Sequence, residues 1–236
     1  MDCSAQPYTL ALEGDLTVSA RAIVVATGAR YRKLDVPDYA RFEGQGIHYA
    51  ATAMEANLCG GEEVVVVGGG NSAGQAAVFL SQSARHVHIL VRGSALAATM
   101  SDFLVQRIET SAKMTVHAQC EITALTGEDY LRAVTWVDRK TGKSESRDTS
   151  AVFVMIGAEP NTEWLDGCLE LDARKFVRTG RSADGRALVS PFATTKAGVF
   201  AVGDVRSGSV KRVASGVGEG SVAVQAIHQF LNPHSA

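Results

Sequence analysis

The sequence predicts an α/β fold built on parallel sheet, and two strands with the segment between them indicate it most clearly. Residues 64–67 are four valines in a row, which is typical of a short buried strand. A glycine-rich turn and an alanine-rich segment of helical spacing follow, and residues 86–91 form a second strand. Strand, turn, helix and strand make a compact βαβ unit.

The turn of this unit carries a dinucleotide-binding pattern. Gly68, Gly70 and Ala73 fit G-x-G-x-x-A. Gly68 permits a sharp turn, Gly70 leaves room for a pyrophosphate, and Ala73 allows close packing of helix on strand. The helix begins at Asn71 and Ser72, where free N–H groups and the positive end of the dipole favour phosphate. A tight strand–helix turn in another kind of α/β protein is the alternative.

Alternation and turn residues predict the other strands. Residues 8–12 and 16–20 alternate around Glu13-Gly14-Asp15, which indicates a β-hairpin. A small-residue turn with Gly28 ends the first predicted buried strand and permits close approach of a ligand or another backbone. The buried strands are predicted at residues 22–25, 151–156 and 198–202. A meander is predicted at residues 115–117, 121–125, 131–138 and 144–147.

Helix signals are found in three further places. Residues 46–58 read as a loop entering a short helix that Gly60-Gly61 ends. Ser101 and Asp102 open a predicted helix over residues 100–108. The last predicted helix covers residues 215–231 and has a glycine-rich first turn. Residues 35–46 and 157–162 are predicted to cross between domains.

Composition excludes several classes of protein. The chain has 236 residues and a net charge of -2, which gives no footprint for nucleic acid or an acidic membrane surface. No segment approaches the ~20 apolar residues of a membrane span. The first residues lack the basic region and apolar run of a secretory signal, so we expect a cytoplasmic protein.

The four cysteines are Cys3, Cys59, Cys120 and Cys168. They are far apart along the chain and form no C-x-x-C, so their spacing indicates neither a zinc site nor a local redox pair. The simplest prediction is four free thiols in a reducing compartment.

Taken together, the motifs resemble those of the thioredoxin reductase-like family of flavin-dependent pyridine nucleotide oxidoreductases. Six strings occur in the family's order across nearly the whole chain: I-V-V-A-T-G-A, G-I-H-Y-A-A-T-A, V-V-V-V-G-G-G-N-S-A, V-H-I-L-V-R, F-V-M-I-G-A-E-P-N-T and V-F-A-V-G-D-V. The resemblance implies two Rossmann-like nucleotide-binding domains. Residues 1–34 and 159–236 would form the FAD-binding domain, and residues 35–158 the NAD(P)H-binding domain.

The resemblance also implies the flavin-binding residues. Gly28, Gly203, Asp204, Lys211 and Arg212 would contact FAD, and the helix that follows would direct its N-terminus at the flavin ring. Asp204 ends a strand and could accept hydrogen bonds from ribityl hydroxyls, with a helix-capping aspartate as the alternative. The family's usual arginine–glutamine pair is replaced by Lys211 and Arg212.

The end of the second strand of the βαβ unit bears on the choice of nucleotide. A carboxylate there would bind the ribose 2′-hydroxyl of NAD, but residues 91–94 read Val-Arg-Gly-Ser. Arg92 can pair with a 2′-phosphate, which favours NADPH over NADH, while a solvated surface arginine is the alternative. We expect Arg92 to bind NADPH together with Gly68, Gly70, Asn71, Ser72 and Ala73.

Two departures from the family affect the predicted function. Where thioredoxin reductases carry C-A-T-C, residues 50–53 read Ala-Ala-Thr-Ala, so no thiolate or disulfide can form there. The cofactors would carry the chemistry, so we predict no catalytic acid, base or nucleophile. His48 and Tyr49 adjoin this loop and could donate a proton, although packing is the more ordinary role for both.

The second departure is at the start of the chain, which lacks the family's leading βαβ unit with its own glycine fingerprint. The sequence therefore predicts the C-terminal two-thirds of the family fold, with an incomplete FAD domain and a tendency to form a homodimer or to associate with a missing N-terminal part. The sequences of residues 91–101 and 203–221 resemble those of a subgroup whose longer members carry a cyclic-nucleotide-binding domain.

Two functions remain open from the sequence. The first is an NAD(P)H oxidoreductase that passes hydride from NADPH to FAD and then to an unknown acceptor, without C-x-x-C chemistry. The alternative is a truncated, non-catalytic module that binds pyridine nucleotide alone.

Overall fold

The structure is a computed structural model that describes residues 1–97, 99–165 and 167–233. Its strands are β1 Tyr8–Ala11, β2 Thr17–Ala20, β3 Ile23–Val25, β4 Ala29–Tyr31, β5 Ile47–His48, β6 Glu63–Val67, β7 His86–Val91, β8 Met114–Ala118, β9 Cys120–Gly127, β10 Leu131–Asp138, β11 Ser144–Asp148, β12 Val152–Val154, β13 Ala158–Pro160 and β14 Val199–Ala201. Its α-helices are α1 Tyr39–Phe42, α2 Ala53–Leu58, α3 Asn71–Leu80, α4 Asp102–Glu109 and α5 Val213–Leu231.

The chain forms two compact units. The inner unit is Tyr31–Gly157, and the outer unit is Met1–Arg30 together with the chain from Ala158 onwards. The inner unit is built on a parallel sheet with strand order β5-β12-β6-β7-β8. This arrangement confirms the α/β prediction, and β6, α3 and β7 form the predicted βαβ unit.

One face of the parallel sheet is covered by α3 and α4. The four residues of α3 that helical spacing places on one side are all buried: Ala73, Ala76, Ala77 and Leu80. All of them except Ala76 belong to the core between the helices and the sheet. The small side chains of Ala73 and Ala77 let the helix pack close to the strands, so the start of α3 is fixed relative to the end of β6.

The other face of the sheet is covered by an antiparallel meander with order β11-β10-β9. The prediction of a four-stranded meander was wrong in one strand, because β8 pairs in parallel with β7. Met114 and Val116 of β8 pack into the core beneath the helices, which joins this strand to the parallel sheet. The predicted loop before α2 also contains the short strand β5.

The outer unit contains the predicted hairpin of β1 and β2, and a parallel pair formed by β3 and β14. Helix α5 begins at Val213, two residues before the predicted start. Among the described residues of α5 only Ala223 is buried, while Val213, Val217 and Val224 are exposed. No helix in the described part of the chain is long and apolar enough to cross a membrane.

The prediction of four free thiols was wrong. Cys3 and Cys168 form a disulfide in the outer unit, with their Cα atoms 5.8 Å apart. Cys59 and Cys120 are free and buried. The pair is separated by 165 positions along the chain, so only the folding of the outer unit brings the two sulfurs together.

Candidate functional site

The turn between β6 and α3 has the geometry that a dinucleotide requires. Gly68 has a φ of +142°, and a Cβ on it would lie 2.5 Å from the carbonyl oxygen of Met155 and 3.2 Å from the Cβ of Ala73. A side chain at Gly68 would therefore collide with the backbone of Met155, which directly follows β12. A Cβ on Gly70 would meet no described atom within 4 Å, so the backbone at this point faces open space.

The first turn of α3 offers donors to that space. Gly70 precedes the helix, and the first intrahelical bond runs from the N–H of Gly74 to the carbonyl of Gly70. The N–H groups of Asn71, Ser72 and Ala73 consequently have no partner inside the helix. Asn71 and Ser72 are exposed, and the helix carries no acid in its first turn that would repel an anion.

Two side-chain bonds that the sequence did not predict support this turn. The hydroxyl of Thr99 donates to the carbonyl of Gly69 at 2.8 Å. The side-chain oxygen of Asn71 accepts from the backbone N–H of Ser101 at 2.8 Å, at the start of α4. The amide side chain of Asn71 thus links the starts of two helices, while its backbone N–H has no partner inside α3.

Arg92 lies at the same edge of the sheet. It directly follows β7, and β7 pairs in parallel with β6, so Arg92 and Gly68 both follow the carboxyl ends of neighbouring strands. Its side chain is exposed and has no ion-pair partner among the described residues. The guanidinium is therefore free to bind an anion beside the glycine turn.

In the outer unit, two predicted flavin contacts lie together. Gly28 and Gly203 follow the carboxyl ends of the parallel strands β3 and β14, with φ values of +67° and +73°. An added Cβ on either would meet no described atom within 4 Å. Asp204 follows Gly203, is half-buried, and accepts no hydrogen bond from a described residue. This edge can accommodate a polar ligand, and the helix-capping alternative for Asp204 has no supporting bond.

Lys211 and Arg212 have neighbours of their own. The Lys211 ammonium lies 4.7 Å from the centroid of the Phe176 ring and 3.4 Å from the hydroxyl of Ser209. Arg212 is exposed at the N-cap of α5, and its guanidinium donates to the carbonyl of Lys211. Lys211 is thus packed on an aromatic ring, whereas Arg212 has most of its donors free for solvent or a ligand.

A family profile described as pyridine nucleotide-disulphide oxidoreductase matches residues 4–220. The chain belongs to this family. Its sequence is 31% identical over 225 residues to an NADH dehydrogenase of Bacillus subtilis, covering 95% of this chain and 42% of that protein. It is 33% identical over 217 residues to a thioredoxin reductase of Mycolicibacterium smegmatis, covering 92% and 66%. The first relatives are therefore much longer, and the chain spans 39% to 42% of their length.

Solved structures of the family have the same fold. The thioredoxin reductase of Streptococcus pyogenes matches with a TM-score of 0.77 and 26% identity, over 94% of this chain and 69% of that one. The thioredoxin reductase of Giardia duodenalis matches with a TM-score of 0.84 and 25% identity, over 98% and 72%. These likenesses confirm the predicted resemblance to thioredoxin reductases and the Rossmann-like topology. The family implies use of a flavin and a pyridine nucleotide.

The loop that carries a dithiol in thioredoxin reductases has a structural role here. Thr52 caps α2, accepting from the N–H of Met54, and its own N–H donates to the carboxylate of Glu55 at 2.9 Å. Ala50 is half-buried and Ala53 begins the helix. In this chain a capping box formed by Thr52 and Glu55 orders the loop, and no disulfide can form there.

The two side chains beside the loop are packed into the inner unit. Tyr49 donates its hydroxyl proton to Glu43 at 2.5 Å, accepts from Tyr39 at 3.1 Å, and burial raises its pKa above the ordinary value. The His48 ring lies 5.2 Å from that of Phe153, and burial lowers its pKa. The Tyr49 proton is thus engaged by a carboxylate, which favours packing as its role.

Proposed function

We propose that this chain is part of a flavin-dependent NAD(P)H oxidoreductase of the thioredoxin reductase-like kind, and that its inner unit binds the pyridine nucleotide. Gly68, Gly70 and Ala73 would shape the turn, while the N–H groups of Asn71 and Ser72 would bind the pyrophosphate. The observation that carries the proposal is the open space at Gly70 beside the free N-terminus of α3.

NADPH is the preferred nucleotide in this proposal. Arg92 is exposed beside the glycine turn and can form a bidentate pair with a 2′-phosphate. Residues 91–94 contain no carboxylate that would accept the two ribose hydroxyls of NADH. NADH would therefore bind more weakly than NADPH, because it lacks the 2′-phosphate with which Arg92 would pair.

The outer unit would contact FAD. Gly28 and Gly203 leave the strand ends open, Asp204 would accept bonds from ribityl hydroxyls, and Lys211 and Arg212 would contribute positive charge. When bound, the two cofactors supply hydride transfer from the nicotinamide to the flavin. The protein's own part is to bind and orient them, and no residue is assigned as acid, base or nucleophile.

The electron acceptor would be reached without C-x-x-C chemistry, because residues 50–53 contain no sulfur. Relatives of this chain are named as an NADH dehydrogenase, a component of alkyl hydroperoxide reductase and a thioredoxin reductase. These names differ in the acceptor, so the acceptor stays unassigned. The exposed valines of α5 also favour association with a second copy or with another segment of protein. The Cys3–Cys168 disulfide is more typical of an oxidising compartment, so it counts against the reducing cytoplasm expected from the sequence.

The visible absorbance spectrum of the purified chain, supplied with FAD and then freed of unbound cofactor, tests this function. We expect near-stoichiometric flavin bands that bleach when NADPH is added without oxygen. A colourless protein that still binds NADPH by calorimetry would instead support the alternative, a pyridine nucleotide-binding module without catalysis.

A further inference from the structure

A mostly buried ion pair, formed by Glu219 and Arg206, contacts the turn that carries Asp204. The Glu219 side chain, in the second turn of α5, is 11% exposed. Its carboxylate accepts from the backbone N–H of Gly203 at 2.6 Å, and from the Nε and Nη2 of Arg206 at 3.2 and 2.5 Å. One carboxylate thus joins the helix to both ends of the turn.

Arg206 is itself held in place. Its side chain is 16% exposed, and its guanidinium lies 5.1 Å from the centroid of the Phe192 ring. Its Nη1 lies 3.4 Å from the hydroxyl of Thr179, and its backbone N–H donates to the carbonyl of Gly203 at 3.1 Å. Because these contacts already order the Arg206 side chain, its pairing with Glu219 costs little further conformational entropy.

Asp204 lies in the sequence between Gly203 and Arg206, which both donate to Glu219. No described side chain or backbone group donates to the carboxylate of Asp204. The direction of that carboxylate is therefore set by the backbone on either side of it. Gly203 has a φ of +73°, a conformation that glycine adopts easily but does not by itself enforce. In this conformation the N–H of Gly203 donates to Glu219, so the bond stabilises it.

We propose that Glu219, held by Arg206, is a positioning residue that orients Asp204 toward the ribityl hydroxyls of the flavin. The inference rests on the proposed function for the role of Asp204. Arg206 also balances the charge of Glu219, and no described residue forms an ion pair with Asp204. A merely structural ion pair would stabilise the outer unit without acting through Asp204.

The first experiment needs no flavin. The rate of hydrogen exchange at the backbone amides of Gly203 and Asp204 is compared between the unmodified chain and Glu219→Gln. Glu163→Gln is the control. Glu163 also pairs with an arginine of the outer unit, Arg30, but both side chains are largely exposed. We expect exchange at least about tenfold faster in Glu219→Gln, as loss of a charge-assisted bond predicts, and no change in the control. Unchanged exchange in Glu219→Gln would overturn the proposal.

The second experiment is a double-mutant cycle on the dissociation constant for FAD. Asp204→Asn and Glu219→Gln should each weaken binding roughly tenfold, and the double variant should bind about as weakly as Asp204→Asn alone. Additive losses, or an equal loss of NADPH affinity in Glu219→Gln, would overturn the positioning role. Failure of the unmodified chain to bind FAD would overturn the function assigned to Asp204, while the exchange experiment still decides whether Glu219 holds the turn.

Discussion

The side-chain oxygen of Asn71 accepts a hydrogen bond from the backbone N–H of Ser101 at 2.8 Å. Asn71 begins α3 and Ser101 precedes α4, so one residue of the dinucleotide turn also holds the start of the neighbouring helix. An aspartate would preserve the acceptor but add a negative charge where the proposed pyrophosphate binds.

Replacing Asn71 should separate these two roles. Asn71→Ala should lower the free energy of unfolding by about 1 kcal/mol, because the N–H of Ser101 loses its hydrogen-bond acceptor. Asn71→Asp should retain stability and weaken NADPH binding, because its charge repels the phosphates. Denaturant unfolding and calorimetry measure the two effects, with the exposed Asn57→Ala as the control. Equal NADPH affinity in Asn71→Asp and the unmodified chain would contradict this account.

Arg92 should determine the preference between nucleotides. Arg92→Ala should raise the dissociation constant for NADPH roughly tenfold, because a charge-assisted pair with the 2′-phosphate is lost, and should change NADH binding little. Arg107→Ala removes the same charge from an exposed position in α4 and should leave the ratio of the two affinities unaltered. A parallel loss of NADH affinity in Arg92→Ala would show that Arg92 does not read the 2′-phosphate.

A histidine between the parallel sheet and the meander should make stability depend on pH. His117 lies 3.0 Å from a ring nitrogen of His88 and 5.0 Å, between ring centroids, from the buried Trp136. Burial lowers the pKa of His117 below 6.5, His88 and Arg147 lower it further, and Glu145 opposes the change. The folded protein therefore favours the neutral ring, and its stabilising contribution is complete above pH 6.5 and lost as the pH falls through the lowered pKa.

His117→Gln should reduce the loss of unfolding free energy that accompanies acidification below pH 6.5. The exposed His228→Gln in α5 serves as the control and should retain that loss. Denaturant unfolding is followed by tryptophan fluorescence with Trp164 replaced by phenylalanine in every variant, so that Trp136 alone reports on the inner unit. An unaltered pH slope in His117→Gln would show that other groups dominate the acid response.

The disulfide predicts a specific thiol count. Of the four cysteines, two should react with a thiol reagent in denaturant without reductant, and all four after reduction. Peptide mapping should find Cys3 joined to Cys168. Four reactive thiols before reduction, in protein purified without reductant, would contradict the disulfide and support the sequence-based prediction of four free thiols.

Local pattern was sufficient to predict the βαβ unit, because four valines, a glycine turn and small residues at helical spacing each act through near neighbours. The hairpin of β1 and β2 was predicted correctly for the same reason. The assignment of β8 failed because strand alternation does not specify the partner strand.

Side-chain contacts between residues distant in the sequence could not be predicted from local sequence patterns. Cys3 and Cys168 gave no spacing signal, since their pairing depends on the folded outer unit. Glu219 appeared as one acid in a glycine-rich helix, and only the structure brings it to Arg206 and Gly203. The candidate site residues come from motifs and stay predictions, whereas the side chains that bond to them, such as Glu219 at Gly203, gave no motif.

Calorimetric titration of the chain and of Gly70→Ala with NADPH tests the central claim most directly. A Cβ at Gly70 meets no described atom and the φ there is -92°, so the variant should fold normally. The methyl group would occupy the space proposed for the pyrophosphate. We predict stoichiometric binding by the unmodified chain and at least about tenfold weaker binding by Gly70→Ala, as loss of close phosphate approach implies. Equal affinities of the two proteins, or no binding by either, would contradict a pyridine nucleotide site at this turn.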